Sequence, residues 1–146
     1  MVILQGRGVV SGQGCGPALV TRMPVNFAAA FAGITSIIPG KRAVVQDRHH
    51  ELFKKNLRNT VLVFPTCTGS TFTGMVLMQV MHDQEAPAAM IVQDADSLLI
   101  SGTILAEVWF KRGIPVVEYN ASDLFDKIRT GDTVEVRGDT GEIKIY

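Results

Sequence analysis

Apolar runs and polar breaks alternate through the middle of the chain in an order that predicts strand, helix, strand, helix, strand. Thr60-Val61-Leu62-Val63-Phe64 is β-branched and aromatic and is stopped by Pro65. A short run of this kind predicts a strand buried on both faces. From Phe72 to His82 apolar residues fall at 72, 75, 76, 77, 78, 80 and 81 with no internal proline, which predicts a buried helix. Met75, Met78 and Met81 read as core, with a partner-facing patch as the alternative. Ala88-Ala89-Met90-Ile91-Val92, preceded by Pro87, predicts a second buried strand. Ser101 to Arg112 predicts a second helix, with Ile104, Leu105, Val108 and Trp109 at helical spacing and Gly113 as its stop. Ile114 to Tyr119 predicts a third strand, and Ser122 is placed to cap a short helix over Asp123 to Arg129. The tail alternates from Thr133 to Arg137, turns at Gly138-Asp139-Thr140-Gly141 and alternates again from Glu142 to Ile145, a β-hairpin pattern.

Upstream the pattern is weaker. Gly14, Gly16 and Pro17 read as an early turn, followed by a short strand at Ala18-Leu19-Val20. Ala43-Val44-Val45 is a short apolar run, and Asp47 to Asn59 reads as an exposed, charged connection with a helical turn. No repeat or low-complexity linker divides the chain, so residues 1–146 are expected to form one domain. Strands alternating with helices predict a parallel sheet with crossover helices. With the hairpin as an antiparallel layer, the expected class is α/β, or β/β/α.

Composition narrows the function classes. Apolar residues make up 47% and charged residues 19% of the chain, and Lys+Arg and Asp+Glu both number 14. Disorder is excluded by the apolar content, and a basic footprint for nucleic acid is absent. Two cysteines, Cys15 and Cys67, make no disulfide framework, and free thiols in a reducing compartment are expected. The N-terminus lacks a charged region followed by an apolar stretch, so no signal peptide is expected. Residues 23–40 carry two prolines, Asn26 and four alanines if Ala32 is counted with 28–30. That is too short and too weakly apolar for a membrane span. Together these point to the cytoplasm.

The most suggestive chemistry lies in Thr66-Cys67-Thr68-Gly69-Ser70-Thr71. A strand ends, small residues turn and a helix begins, which in an open α/β sheet is where ligands bind. Free N–H groups at the helix start favour an anion, so a hydroxyl on Ser70 or Thr71 can act as a base or hold a carboxylate. Serving as an N-cap is the plainer account of either residue. The loop is neither a Walker loop, since no Lys follows Gly69, nor a G-x-S-x-G elbow. Cys67 has no C-x-x-C companion and reads as a buried or loop thiol. His49-His50, between Asp47 and Glu51, reads as a solvated face, because adjacent side chains point apart. A phosphohistidine carrier using His49 or His82 is the alternative for the histidines.

Several segments taken together resemble the small-subunit, or swivel, family of aconitase X. They are Val61 to Pro65 through Gly69-Ser70-Thr71, Ala86-Pro87-Ala88-Ala89, Gly113 to Val117 and Gly131 to Val136, with weaker likeness at Gly6-Arg7-Gly8 and Ala18 to Val20. The resemblance implies a swivelling β/β/α domain like the mobile fourth domain of aconitase. It implies a dehydratase of two subunits, a heterodimer whose large partner carries an iron–sulfur cluster while this chain binds none. By motif position Ser70 is implied as the catalytic base, an alkoxide, with Gly69 and Thr71 binding substrate through their N–H groups and no metal ligand in this chain. The implied substrate is a small hydroxy acid. Ile104 to Arg112 resembles the branch acting on cis-3-hydroxy-L-proline, and phosphomevalonate is the alternative. The sequence departs from the family at Thr68, where Lys or Arg is usual, and at Ala28-Ala29-Ala30-Phe31, where the family shows a glycine pair followed by Val-Asp. These departures keep a non-catalytic swivel or assembly domain in view.

Overall fold

A computed structural model of the chain describes residues 1–69 and 71–146. The described residues form eight strands: β1 (Val2–Gln5), β2 (Arg7–Val10), β3 (Gln13–Val20), β4 (Val61–Phe64), β5 (Ala89–Val92), β6 (Val116–Glu118), β7 (Thr133–Arg137) and β8 (Glu142–Ile145). The helices are α1 (Phe27–Ala30), α2 (Thr73–His82), α3 (Ser97–Phe110) and α4 (Leu124–Lys127), with a 3₁₀ turn at Ile34–Ile37.

Strand order is β1-β8-β7-β3-β4-β5-β6-β2. From β3 to β6 all pairs are parallel, and β1-β8-β7-β3 is antiparallel. The two outermost strands in this order, β1 and β2, are consecutive in the chain and joined only by Gly6, whose N–H donates to the Gly141 carbonyl at 2.8 Å. The chain therefore passes from one end of the strand order to the other through a single residue. β3 bridges its halves: Gln13–Pro17 pair with β7, and Ala18–Val20 pair with β4.

Alternation on the central strands explains the three layers. Val61, Val63, Ala89, Ile91 and Val117 face the antiparallel half, where they meet Leu4, Val134, Val136, Ile143 and Ile145. Leu62, Phe64, Met90, Val92 and Val116 face the other way, onto Phe27, Leu77, Met81 and Leu99. Both faces of β4 and β5 are buried, which is why these strands carry unbroken apolar runs. The order of layers is β/β/α, as expected from the pattern.

Several local readings are corrected. Gly14 and Gly16 do not turn the chain; they lie within β3. A Cβ on Gly14 would come within 2.1 Å of the Ala88 carbonyl oxygen, and one on Gly16 within 2.4 Å of that of Asn59. These glycines let the two halves of the sheet cross at close range. α3 begins at Ser97, one turn before the expected Ser101, because the Asp96 carboxylate accepts from the Leu99 N–H at 2.8 Å and caps the helix. Its left-handed end is Lys111 (φ 56°) rather than Gly113. The first residue of the short fourth helix is preceded by Asp123, with no side-chain cap, so Ser122 does not take that role. Asp47 to Asn59 is not simply exposed, since Leu52 and Leu57 are buried and His50 is 7% exposed.

Helix packing also departs from expectation. α3 buries Leu99, Gly102, Thr103 and Ala106 and leaves Ile104, Val108 and Trp109 exposed. On α2 Met81 is buried but Met75 is 63% exposed. Removing the α3 cap with Asp96→Ala is expected to cost about 1 kcal/mol, read as a lowered urea midpoint at unchanged m-value.

Candidate functional site

The carboxyl ends of β4, β5 and β6 open on a cleft of about 560 Å³ lined by Pro65, Thr66, Gln93, Asp94, Asn120 and Ser122. The loop from β4 to α2 forms one of its walls. Asp94 N–H donates to the Pro65 carbonyl at 3.0 Å, and the Thr66 hydroxyl donates to the Asp94 carbonyl at 3.2 Å. These bonds tie the loop to the end of β5. Ligands of open α/β sheets bind at such strand ends.

Behind the loop runs a segment from Thr21 to Phe27. Thr21 N–H donates to Val63 O at 2.9 Å, Val25 N–H to Thr66 O at 3.0 Å, and Thr68 N–H to Val25 O at 3.0 Å. Val25 and Cys67 thus form a parallel bridge that extends the sheet past Phe64. The segment is held from its far side by two residues of the connection. His50 accepts the Leu52 N–H on Nδ1 at 3.1 Å, so its Nε2–H is the donor to the Pro24 carbonyl at 3.2 Å. The Glu51 carboxylate accepts from the Thr21 hydroxyl and, at 3.2 Å, from the Arg22 N–H. His50 is therefore a structural histidine. His49 is exposed, with its N–H given to the Asp47 carboxylate.

Gly69 has φ 94°, the left-handed region where glycine is at no disadvantage. Its missing side chain is also demanded by space: a Cβ would lie 2.3 Å from Asn26 Nδ2 and 2.6 Å from Asn26 Cγ. Asn26 in turn caps α1, its Oδ1 accepting from the Ala29 N–H at 3.1 Å. Thr71 is exposed in the turn just before α2. The expected base, Ser70, lies outside the described residues. The structure thus brings Gly69 and Thr71 to the strand end and the start of α2. Asn26, His50 and Glu51 support that loop. Asn26 sits 43 positions upstream of Gly69, and nothing in its local pattern marked it as part of the site.

The donor set does not fit an iron–sulfur cluster. Cys15 is exposed on β3 and Cys67 is half-buried in the loop. Burial, and secondarily the Asp96 carboxylate, push the Cys67 thiol well above its ordinary range, whereas a ligand must be a thiolate. Among the described residues no three His, Cys, Asp or Glu side chains are grouped to hold a metal. The contrast between the thiols is directly measurable. At pH 8 a maleimide is expected to label Cys15 at least about tenfold faster than Cys67, read by mass spectrometry of the peptides.

The comparisons with known proteins cover the same ground. The family model described as the aconitase X swivel domain matches residues 3–145. The phosphomevalonate dehydratase small subunit of Methanocella arvoryzae is 34% identical over 142 residues, covering 97% of this chain and 98% of its own. That of Methanothermobacter thermautotrophicus is 33% identical over 138 residues, covering 94% and 95%. The crystal structure of Thermococcus kodakaraensis aconitase X in its holo-form superposes with a TM-score of 0.84 at 27% identity, covering 100% of this chain and 99% of that one. The 3-isopropylmalate dehydratase of Methanocaldococcus jannaschii, with a TM-score of 0.60 at 18% identity, shares the fold. Among the described residues no helix is long and apolar enough to cross a membrane.

Proposed function

The chain belongs to the aconitase X swivel-domain family, and on that premise we propose that it is the small subunit of a cytoplasmic two-subunit hydro-lyase acting on phosphomevalonate. Its residues 1–146 are read as a single swivel domain. The observation that carries the proposal is the Gly69-Ser70-Thr71 motif, which falls in the sequence between the end of β4 and the start of α2, in a chain matched over residues 3–145. The names of its curated relatives support the substrate.

In this reading the Ser70 oxygen, as alkoxide, takes the proton α to the substrate carboxylate. The electron pair of that C–H bond forms the C=C bond as the β C–O bond breaks, and the departing hydroxide takes a proton from solvent to leave as water. The N–H groups of Gly69 and Thr71 hold the anion, and the positive end of the α2 dipole favours negative charge there. The iron–sulfur cluster belongs to the large subunit, and the chemistry assigned to this chain is proton abstraction alone. Exposed Phe72, Met75, Val108 and Trp109 suit a chain covered by a partner. The chain by itself is read as inactive.

The stretch Ile104 to Arg112 favours cis-3-hydroxy-L-proline as the second substrate to test, and both compounds are β-hydroxy carboxylates open to the same elimination. The assay mixes the chain with its co-expressed large subunit and follows water loss from each compound. Turnover of phosphomevalonate by the pair and by neither chain alone is expected. Turnover of hydroxyproline in its place overturns the substrate, and activity of the isolated chain overturns the subunit reading.

A further inference from the structure

We propose that Asn26 is a positioning residue of the site, its helix-capping carboxamide holding Gly69 in the left-handed turn that leads into the catalytic loop. The inference rests on the reading of that loop given above.

Glycine populates positive and negative φ about equally, so a glycine does not choose its own turn; a neighbour must choose it. Asn26 is the neighbour. Main-chain bonds on Val25, to Thr66 O and from Thr68 N–H, fix the backbone beside it. The His50 bond to the Pro24 carbonyl fixes the residue before that. The side chain itself loses its freedom through the bond from the Ala29 N–H to Oδ1. What remains is an amide held against Gly69, with Nδ2 nearest the position a Cβ would take and Cγ next. Oδ1 is taken up by the cap, so the service of the Nδ2 end to the loop is to fill the space beside Gly69. Sites placed by locked side chains of this kind lose rate when the lock is loosened, since a misplacement of about 1 Å costs on the order of 10²-fold.

The two ends of the carboxamide separate by substitution. Serine and aspartate are both good N-caps, so either keeps the bond from Ala29. Serine removes the group that faces Gly69, whereas aspartate keeps its shape. The experiment uses the full chain, alone and with its large subunit. Asn26→Ser is expected to leave the melting temperature and subunit assembly unchanged. It should lower kcat about tenfold or more with little change in KM. In the isolated chain it should speed hydrogen exchange of the Thr68 amide about tenfold. Asn26→Asp is expected to restore the slow Thr68 exchange. Wild-type kcat together with wild-type exchange in Asn26→Ser overturns the proposal, as does fast exchange in Asn26→Asp. If the wild-type pair dehydrates neither compound, the functional reading fails, and the exchange measurements still decide the role of Asn26.

Discussion

Ser70→Ala, assembled with the large subunit, is expected to lose about 10³-fold in kcat while binding its partner as tightly as the wild type. General-base catalysis contributes about 10²–10⁴-fold, and an alanine leaves no atom able to take the α-proton. A KM within about twofold of wild type is expected, because the anion contacts assigned to the main chain at Gly69 and Thr71 do not depend on the serine side chain. Thr71→Val serves as the comparison: it keeps that main chain, removes the neighbouring hydroxyl and is expected to retain most of the rate. Equal losses in the two variants would move the base away from Ser70, and wild-type turnover in Ser70→Ala would remove it from the chain altogether.

Gly14→Ala is expected to be the most destabilising single-methyl change in β3, at about 3 kcal/mol or more. The added Cβ would sit 2.1 Å from the Ala88 carbonyl oxygen and 2.9 Å from its carbon. Those atoms are main chain, so no side chain can swing aside to make room. Ala88 is itself pinned, its N–H donating to Thr60 O at 2.7 Å just before β5. Relief therefore requires the two halves of the sheet to separate, which pulls Val61, Ala89 and Val134 apart in the core between them. Cys15→Ala, one residue away on the exposed side of β3, is expected to stay within about 0.5 kcal/mol of wild type. Urea unfolding of the two variants separates a close crossing from a general sensitivity of the strand.

The same crossing shows where reading the chain from its pattern succeeds and fails. β4, β5, α2 and the hairpin were legible because their signals are local: apolar runs bounded by Pro65 and Pro87, helical spacing from 72 to 81, and alternation on either side of Gly138 to Gly141. Gly14 and Gly16 were misread as a turn because glycine locally does mark turns. Their actual requirement comes from carbonyls at residues 88 and 59. β1 and β2 escaped notice because each has four residues, most of them exposed, and Gly6 breaks the alternation between them. The loop at Gly69 was visible as small residues between a strand and a helix, but its support was not. Asn26 and His50 reach it only through tertiary bonds, and His50 in particular looked like part of a solvated run. On α3 the large apolar residues suggested the buried face, yet the buried positions include Gly102 and Thr103.

The pairing of Val2 with Ile145 and of Gly8 with Val117 imposes an order on assembly. During synthesis the parallel strands β4, β5 and β6 can meet as soon as residue 118 has emerged, and β2 can join them on the same schedule. The first strand must wait for β8, almost the whole chain later. Pairings so distant in sequence are slow to form. Until Ile145 leaves the ribosome, the hydrogen-bonding edge and apolar side chains of the antiparallel half stay open, a window in which a nascent chain is exposed to chaperones and to its own neighbours.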